Sequence, residues 1–496
     1  MAVYDRLSAS ERRMAVALAA LFGFLGPFTS TSVLPLAQSM ALTLEATEQD
    51  VRTYAVALFV AVMGVAPLLL AAASMALPAS LFVFPVTTTR RDSRRSKAQA
   101  TGSAAVLFLP VLYMLASVLL ASEATTSSIA ALAVLRCIQS LAISPFLSLG
   151  ASTIRQLYCV KSEARGAALG CFYAGAVAGP TVGPFVAGCI GLGGIQAWRS
   201  LFWLQAALGL FASVMQIGLT VRCQRAENRS EATEEQRSEC QLPEKPVQSR
   251  TAAVRHALGW SFWLVTLSSC ASMFGLFLAF NTLTQLVRNR FDIGNSAAVG
   301  ALFLPGGASS IVCSVLSGAW SDKLLRPKHE MAPREEWRSA HAWTRFASAC
   351  RPASSTYERR LIVAITGAGV MQPVGLFLYG WPSHSACKTD ACQGGLLLLT
   401  EVGFCLLCGG VSMTLTAGNA YLVDIAGSAS VAQRVIALNN LFRYALAVAA
   451  SAGTATLLRT LGLSLSSTVA ALASLVSMTA LVVVASQKRH AISMYS

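Results

Sequence analysis

Six polar residues interrupt long apolar runs of this chain: Arg136 with Gln139, Glu401, and Asn439 and Asn440 with Arg443. Their types permit a narrow chemistry. Glu401 stands in "LLLLTEVGFCLL" with no charged neighbour for many residues. A lone carboxylate in low dielectric can take and release a proton, unless it lies near enough to a run's outer end to reach water. Arg136 and Gln139 are one helical turn apart and face one side. A guanidinium there can contact a carboxylate or join a proton relay, or it can be satisfied by backbone carbonyls. Asn439 and Asn440 precede Arg443 by four and three residues, so all three share a helix face, which either lines a cavity or glues helices together. Asp424 ends a run, where Arg434 is its expected loop partner.

None of this is bond-making chemistry. The chain has 5 histidines and 13 cysteines without metal-ligand spacing, so no metal, haem or other cofactor is expected, and no enzyme. Cys387 and Cys392 share one short polar connection, where the expected compartment permits a disulfide.

The elements that must hold these residues are read from composition. Of 496 residues, 54% are apolar and 12% charged, and the charges fall between apolar stretches. A bilayer accepts a helix that is apolar on every face. The expected spans are 14–36, 53–73, 103–121, 129–151, 164–190, 199–221, 260–287, 298–320, 361–381, 393–416, 433–458 and 462–485. No stretch shows the alternation of barrel strands. The expectation is an all-α, polytopic membrane protein of about twelve helices.

Basic residues gather in alternate connections: Arg6, Arg12 and Arg13; Arg90 to Lys97; Arg155, Lys161 and Arg165; 222–258; 321–360; and Lys488 with Arg489. Arg288 and Arg290 point the other way. The bias predicts both termini in the cytoplasm, and it makes the net charge of +15 a membrane-topology signal rather than a nucleic-acid site. Residues 222–258 mix both charge signs with Ser, Gln and Pro and read as a solvated linker between two six-helix halves, 1–221 and 259–496.

The fifth run, "GCFYAGAVAGPTVGPFVAG", places Gly175, Gly179, Pro180, Gly183, Pro184 and Gly188 on one stripe where a neighbouring helix can approach closely. This stripe resembles the G-x3-G-P-x2-G motif of antiporters of the major facilitator superfamily. Arg136 to Gln139, followed by Ser140, is similar to the R-x-x-Q-G motif of that superfamily with serine in place of glycine. "GAWSDKLLR" supplies Gly318, Asp322 and Arg326 in its G-x3-D-x3-R pattern. The stretches "LFLPGGASSI", "GLFLYGW", "NAYLVD" and "ALNNLFR" resemble the fungal twelve-span drug:proton antiporters, a group that includes quinidine, polyamine and organic-acid exporters.

The resemblance implies a major facilitator fold and proton-coupled export of a small organic molecule. It also implies a central site near Arg136, Gln139, Glu401, Asn439, Asn440 and Arg443, and gating by Gly318, Asp322, Arg326 and Asp424 at the cytoplasmic side. The expected partners are the lipid bilayer, a small-molecule substrate and protons, with the chain a monomer in the plasma membrane rather than the vacuolar one. Aromatics in the first and seventh runs (Phe22, Phe24, Phe28; Phe274, Phe277, Phe280) offer ring faces. One departure matters: the family's motif after the second span is lost, with Ala71 and Met75 at its glycine and aspartate and about fifteen extra residues near 75–90. It keeps uptake, or a non-transporting sensor or defective paralogue, open as rival readings.

Overall fold

The computed structural model describes residues 8–76, 95–158, 165–234, 257–293, 295–325, 356–384, 389–426 and 429–486. All regular structure among them is helical. Among the described residues, eleven helices are long and apolar enough to cross a membrane: α1 Ser10–Thr43, α2 Glu48–Leu70, α4 Ile129–Arg155, α5 Arg165–Gly193, α6 Ile195–Arg222, α7 Trp260–Phe291, α8 Ala297–Leu324, α9 Tyr357–Gly380, α10 Ala391–Ile425, α11 Val431–Thr460 and α12 Gly462–Ser486. Between α2 and α4 runs α3, Arg95–Ala121, whose apolar part Leu107–Ala121 is shorter. The all-α membrane architecture expected from hydropathy is therefore present.

Local signals set several of the ends. Ser8 and Glu11 form a reciprocal capping box at the start of α1, and the Ser128 hydroxyl accepts from Ala131 N at 3.2 Å to open α4. Pro145, which has no N–H to donate, splits α4 into Ile129–Ile143 and Phe146–Leu157. One boundary differs from expectation. Residues 222–234, read as the start of the linker, continue the helix Trp198–Glu234, because Arg, Glu, Gln and Ala are good helix formers. Residues 235–256, 77–94, Arg326 and Cys387 lie outside the described residues; Cys392 is disulfide-bonded.

The bundle is apolar on its outer surface as well as within. Leu69, Phe108, Leu398 and Val476 are each more than half exposed, a belt that suits lipid rather than water. Inside, α5 packs along both α1 and α8, while α11 packs on α2, α4 and α7. These contacts join the first six helices to the last six.

Two hydrogen bonds repeat across the chain. Tyr113 of α3 and Thr29 of α1 share one of 2.7 Å, and Tyr379 of α9 and Thr282 of α7 share another of 2.7 Å. The helices involved are six apart in order. The next helix in each set brings an ionisable residue into electrostatic reach of the tyrosine: Arg136 from α4 and Glu401 from α10.

Candidate functional site: three polar centres in an apolar bundle

Arg136 is fully buried and fully engaged. Its Nε and Nη2 donate to the Ala55 carbonyl at 2.9 and 2.7 Å, Nη2 also to Thr29 O at 3.0 Å, and Nη1 to Gln139 Oε1 at 2.7 Å. Ala55 lies in a π-helical turn, Arg52–Ala57, that locally widens α2. The Gln139 amide nitrogen passes the network on to Ser117 Oγ (2.8 Å) and Gln205 Oε1 (2.9 Å), and Gln205 donates to Ser32 Oγ. Ser140 donates to Phe59 O at 2.8 Å. These bonds fasten α4 to α1, α2, α3 and α6.

A second centre is the cavity between α1, α2, α5, α7, α10 and α11, with a volume of about 30 Å³. That is room for a water or two. Arg443 and Tyr444 face it from α11, Tyr173 from α5, Ser30 from α1, and Phe277 from α7. Arg136, Gln139, Asn439, Asn440 and Glu401 do not line it. Asn439 instead donates to Asn419 Oδ1 on α10 at 2.9 Å. Of the expected ring faces, only Phe277 reaches the cavity wall; Phe22 stacks on Phe146 at 4.0 Å between centroids, and Phe280 packs with Phe303 and Phe404.

Glu401 stands apart. It is 8% exposed, and neither carboxylate oxygen has a hydrogen-bond partner among the described residues. At 1.5 Å per residue it lies roughly 35 Å along α10 from Asp424, about the thickness of a bilayer core.

The third centre closes the end of the bundle that carries Arg155, Arg165, Arg222 and Lys323. Asp322 of α8 accepts from Gly166 N at 3.0 Å and Ala167 N at 2.9 Å, so it caps the otherwise unpaired amides that begin α5. Arg360 of α9 bridges Asp322 (3.0 Å) and Asp424 of α10 (2.9 Å) and reaches Ser321 Oγ. Arg165 of α5 forms an ion pair with Asp424, and Arg155 of α4 donates to the Val423 carbonyl. Asp322 and Asp424 are thus brought together as acids of one latch, and Asp424 pairs with Arg165 and Arg360. Neither arginine stood out in sequence. Each opens an apolar run, which marks topology equally well.

The fifth-helix stripe connects these centres. A side chain on Gly179 would lie 2.6 Å from Phe28 N and 2.7 Å from Phe24 O of α1; on Gly183, 2.8 Å from Phe28 O. Gly175 would meet Ala20 of the same helix. Pro184 cannot donate to the Pro180 carbonyl, and Thr31 Oγ1 of α1 donates to that carbonyl instead at 3.1 Å. On the other flank, Gly318 of α8 abuts Gly166 and Gly170. Gly188 is buried in the same helix.

A family model described as Major Facilitator Superfamily matches residues 98–452. The MFS transporter OpS2 of Beauveria bassiana is 26% identical over 333 residues, 64% of this chain and 87% of that protein. The MFS-type transporter penM of Penicillium rubens is 26% identical over 168 residues, 34% of this chain and 27% of that protein. Among solved structures, the proton:xylose symporter XylE bound to 6-bromo-6-deoxy-D-glucose aligns over 95% of both chains with a TM-score of 0.58 and 11% identity. The human organic anion transporter MFSD10 (TETRAN) aligns over 95% of this chain and 99% of its own, with a TM-score of 0.50 and 15% identity. At such identities the structural likeness concerns the fold alone.

Proposed function

This chain belongs to the major facilitator superfamily of membrane transporters, and from that premise we propose that it exports a small organic molecule in exchange for protons, by alternating access. The six helices that end with Trp198–Glu234 and the six that begin at Trp260 are the two moving halves, and the segment between them is their linker. The latched end faces the cytoplasm of the plasma membrane, in keeping with its basic residues. The cavity at Arg443 admits the substrate, and parting of the Asp322–Arg360–Asp424–Arg165 cluster opens it to the cytoplasm. The carrier works as a monomer, without cofactor or bond chemistry.

The observation that carries the coupling is Glu401, a buried carboxylate with no hydrogen-bond partner among the described residues. A group of this kind suits alternate protonation and deprotonation. With the cytoplasmic end latched, its place far along α10 favours loading from the opposite side, where an exporter takes up its proton. The fungal relatives named as MFS transporters support a transport role.

The test is reconstitution of the full chain in proteoliposomes, with a panel spanning an organic acid, a cationic dye and a polyamine. Wild type exchanges a panel member at equal pH and accumulates it against its gradient after a pH step. Glu401→Gln keeps the exchange and loses the accumulation. Unchanged accumulation in Glu401→Gln moves the proton to another route, and exchange of no panel member, with binding retained, turns the reading to a sensor.

A further inference from the structure

Of the four buried arginines among the described residues, three face a carboxylate or several oxygen acceptors and the fourth, Arg443, does not. Arg136 has two carbonyls and Gln139; Arg360 has Asp322 and Asp424; Arg165 has Asp424. Arg443, 3% exposed and roughly 18 Å into α11, carries the only formal charge among the residues lining the central cavity. Its Nη2 donates to the Tyr444 hydroxyl at 3.0 Å, its guanidinium lies 4.7 Å from the centroid of that ring, and its Nε has no hydrogen-bond partner among the described residues. Tyr173, also 3% exposed, faces the same cavity with a hydroxyl that has no hydrogen-bond partner among the described residues. A buried guanidinium without an anion costs several kcal/mol, so these donors favour a negative ligand. The remaining wall includes Met63, Met273, Leu276 and Phe277, an apolar surface softened by two thioethers.

We infer that this cavity binds an amphipathic organic monoanion, its carboxylate held between Arg443 and Tyr173 and its apolar body against Met63, Met273 and Phe277. This names the substrate class of the transport reading above and rests on it. A cation would meet Arg443 with no acid in the wall to receive it, and a neutral compound would leave the guanidinium uncompensated. The present volume is that of a contracted state, so the anion enters as the halves part.

The experiment is equilibrium binding to the full chain in nanodiscs at one pH, using 2-naphthoate, 2-naphthamide and 2-naphthylmethylammonium, which share one body and differ in charge. Wild type should bind naphthoate at least about tenfold tighter than either other probe, the scale of one charge-assisted hydrogen bond. Arg443→Gln should reduce that preference to about twofold or less, Arg443→Lys should retain part of it, and Tyr173→Phe should weaken naphthoate severalfold. Equal or tighter binding of the amide or the ammonium overturns the inference, as does a preference that survives Arg443→Gln, or a wild type that binds none of the three. Should Arg443→Gln fail to run as a single species on size exclusion, Tyr173→Phe decides, and undiminished naphthoate binding there overturns the site. Binding without a gradient requires neither coupling nor direction. Transport of another compound with no naphthoate binding therefore defeats the anion assignment alone, whereas naphthoate binding without transport defeats only the exporter reading.

Discussion

Arg136 and Glu401 are both buried, but among the described residues only the first has hydrogen-bond partners. Truncating Arg136 strands Gln139 and three accepted hydrogen bonds at the Ala55 and Thr29 carbonyls, while Glu401→Gln removes no bond at all. Arg136→Ala should therefore cost about 1–3 kcal/mol for each buried acceptor left unpaired and visibly lower the unfolding temperature in detergent. Glu401→Gln should leave that temperature unchanged or raise it. Equal unfolding temperatures would mean that the Arg136 network does not hold α4 in place. Sequence singled out both residues, because a charge within an apolar run is conspicuous. It could not reveal the partners of Arg136, which are backbone carbonyls on other helices and carry no residue signature. Nor could it reveal that Asp424 meets Arg165 and Arg360: both are remote in sequence, and a basic residue opening a span looks alike whether it meets water or a buried acid.

At the scale of the helix, legibility was high. Hydropathy alone located the spans, since nothing but a bilayer rewards apolar residues on all faces, and the spacing of Gly175, Gly179 and Gly183 announced a close helix contact before its partner was known. The partner, α1, is set by three-dimensional packing that no spacing encodes. Gly183→Leu must push α5 away from the Phe28 carbonyl; we expect normal membrane insertion and a loss of transport between about 5- and 150-fold, as packing misfits of about 1–3 kcal/mol imply. Full activity in this variant would show that α1 and α5 need not touch during the cycle. The repeated tyrosine–threonine bonds, α3 to α1 and α9 to α7, were invisible beforehand because residues around them differ in the two sets.

For the whole molecule, the positions of the basic residues predict that the linker and both termini share one side. Protease-sensitive tags at Ala232 and after Ser496 should both survive protease added outside intact cells; cleavage of one alone would rule out an even number of crossings between them. On that side, Asp424→Asn removes one acid from two arginines. Breaking a buried ion pair costs about 3–5 kcal/mol, comparable with the roughly 5.5 kcal/mol that swings a two-state population from one extreme to the other. Spin labels at Arg222 and Lys323, both near this end, should therefore report a longer distance in Asp424→Asn than in wild type. An unaltered distance distribution would mean that apolar packing, not the ion pairs, keeps this end shut.

The uncompensated charge of Arg443 has an electrical side. When the cavity communicates with the cytoplasm, that charge sits at the interior potential; when it communicates with the outside, it sits at the exterior one. An interior-negative membrane would favour the first arrangement by up to about 2.3 kcal/mol per 100 mV. A carrier holding a monoanion would be neutral at this point and indifferent to the voltage. The resting potential would thus act as the return spring of the empty transporter, resetting it toward the compartment from which it loads.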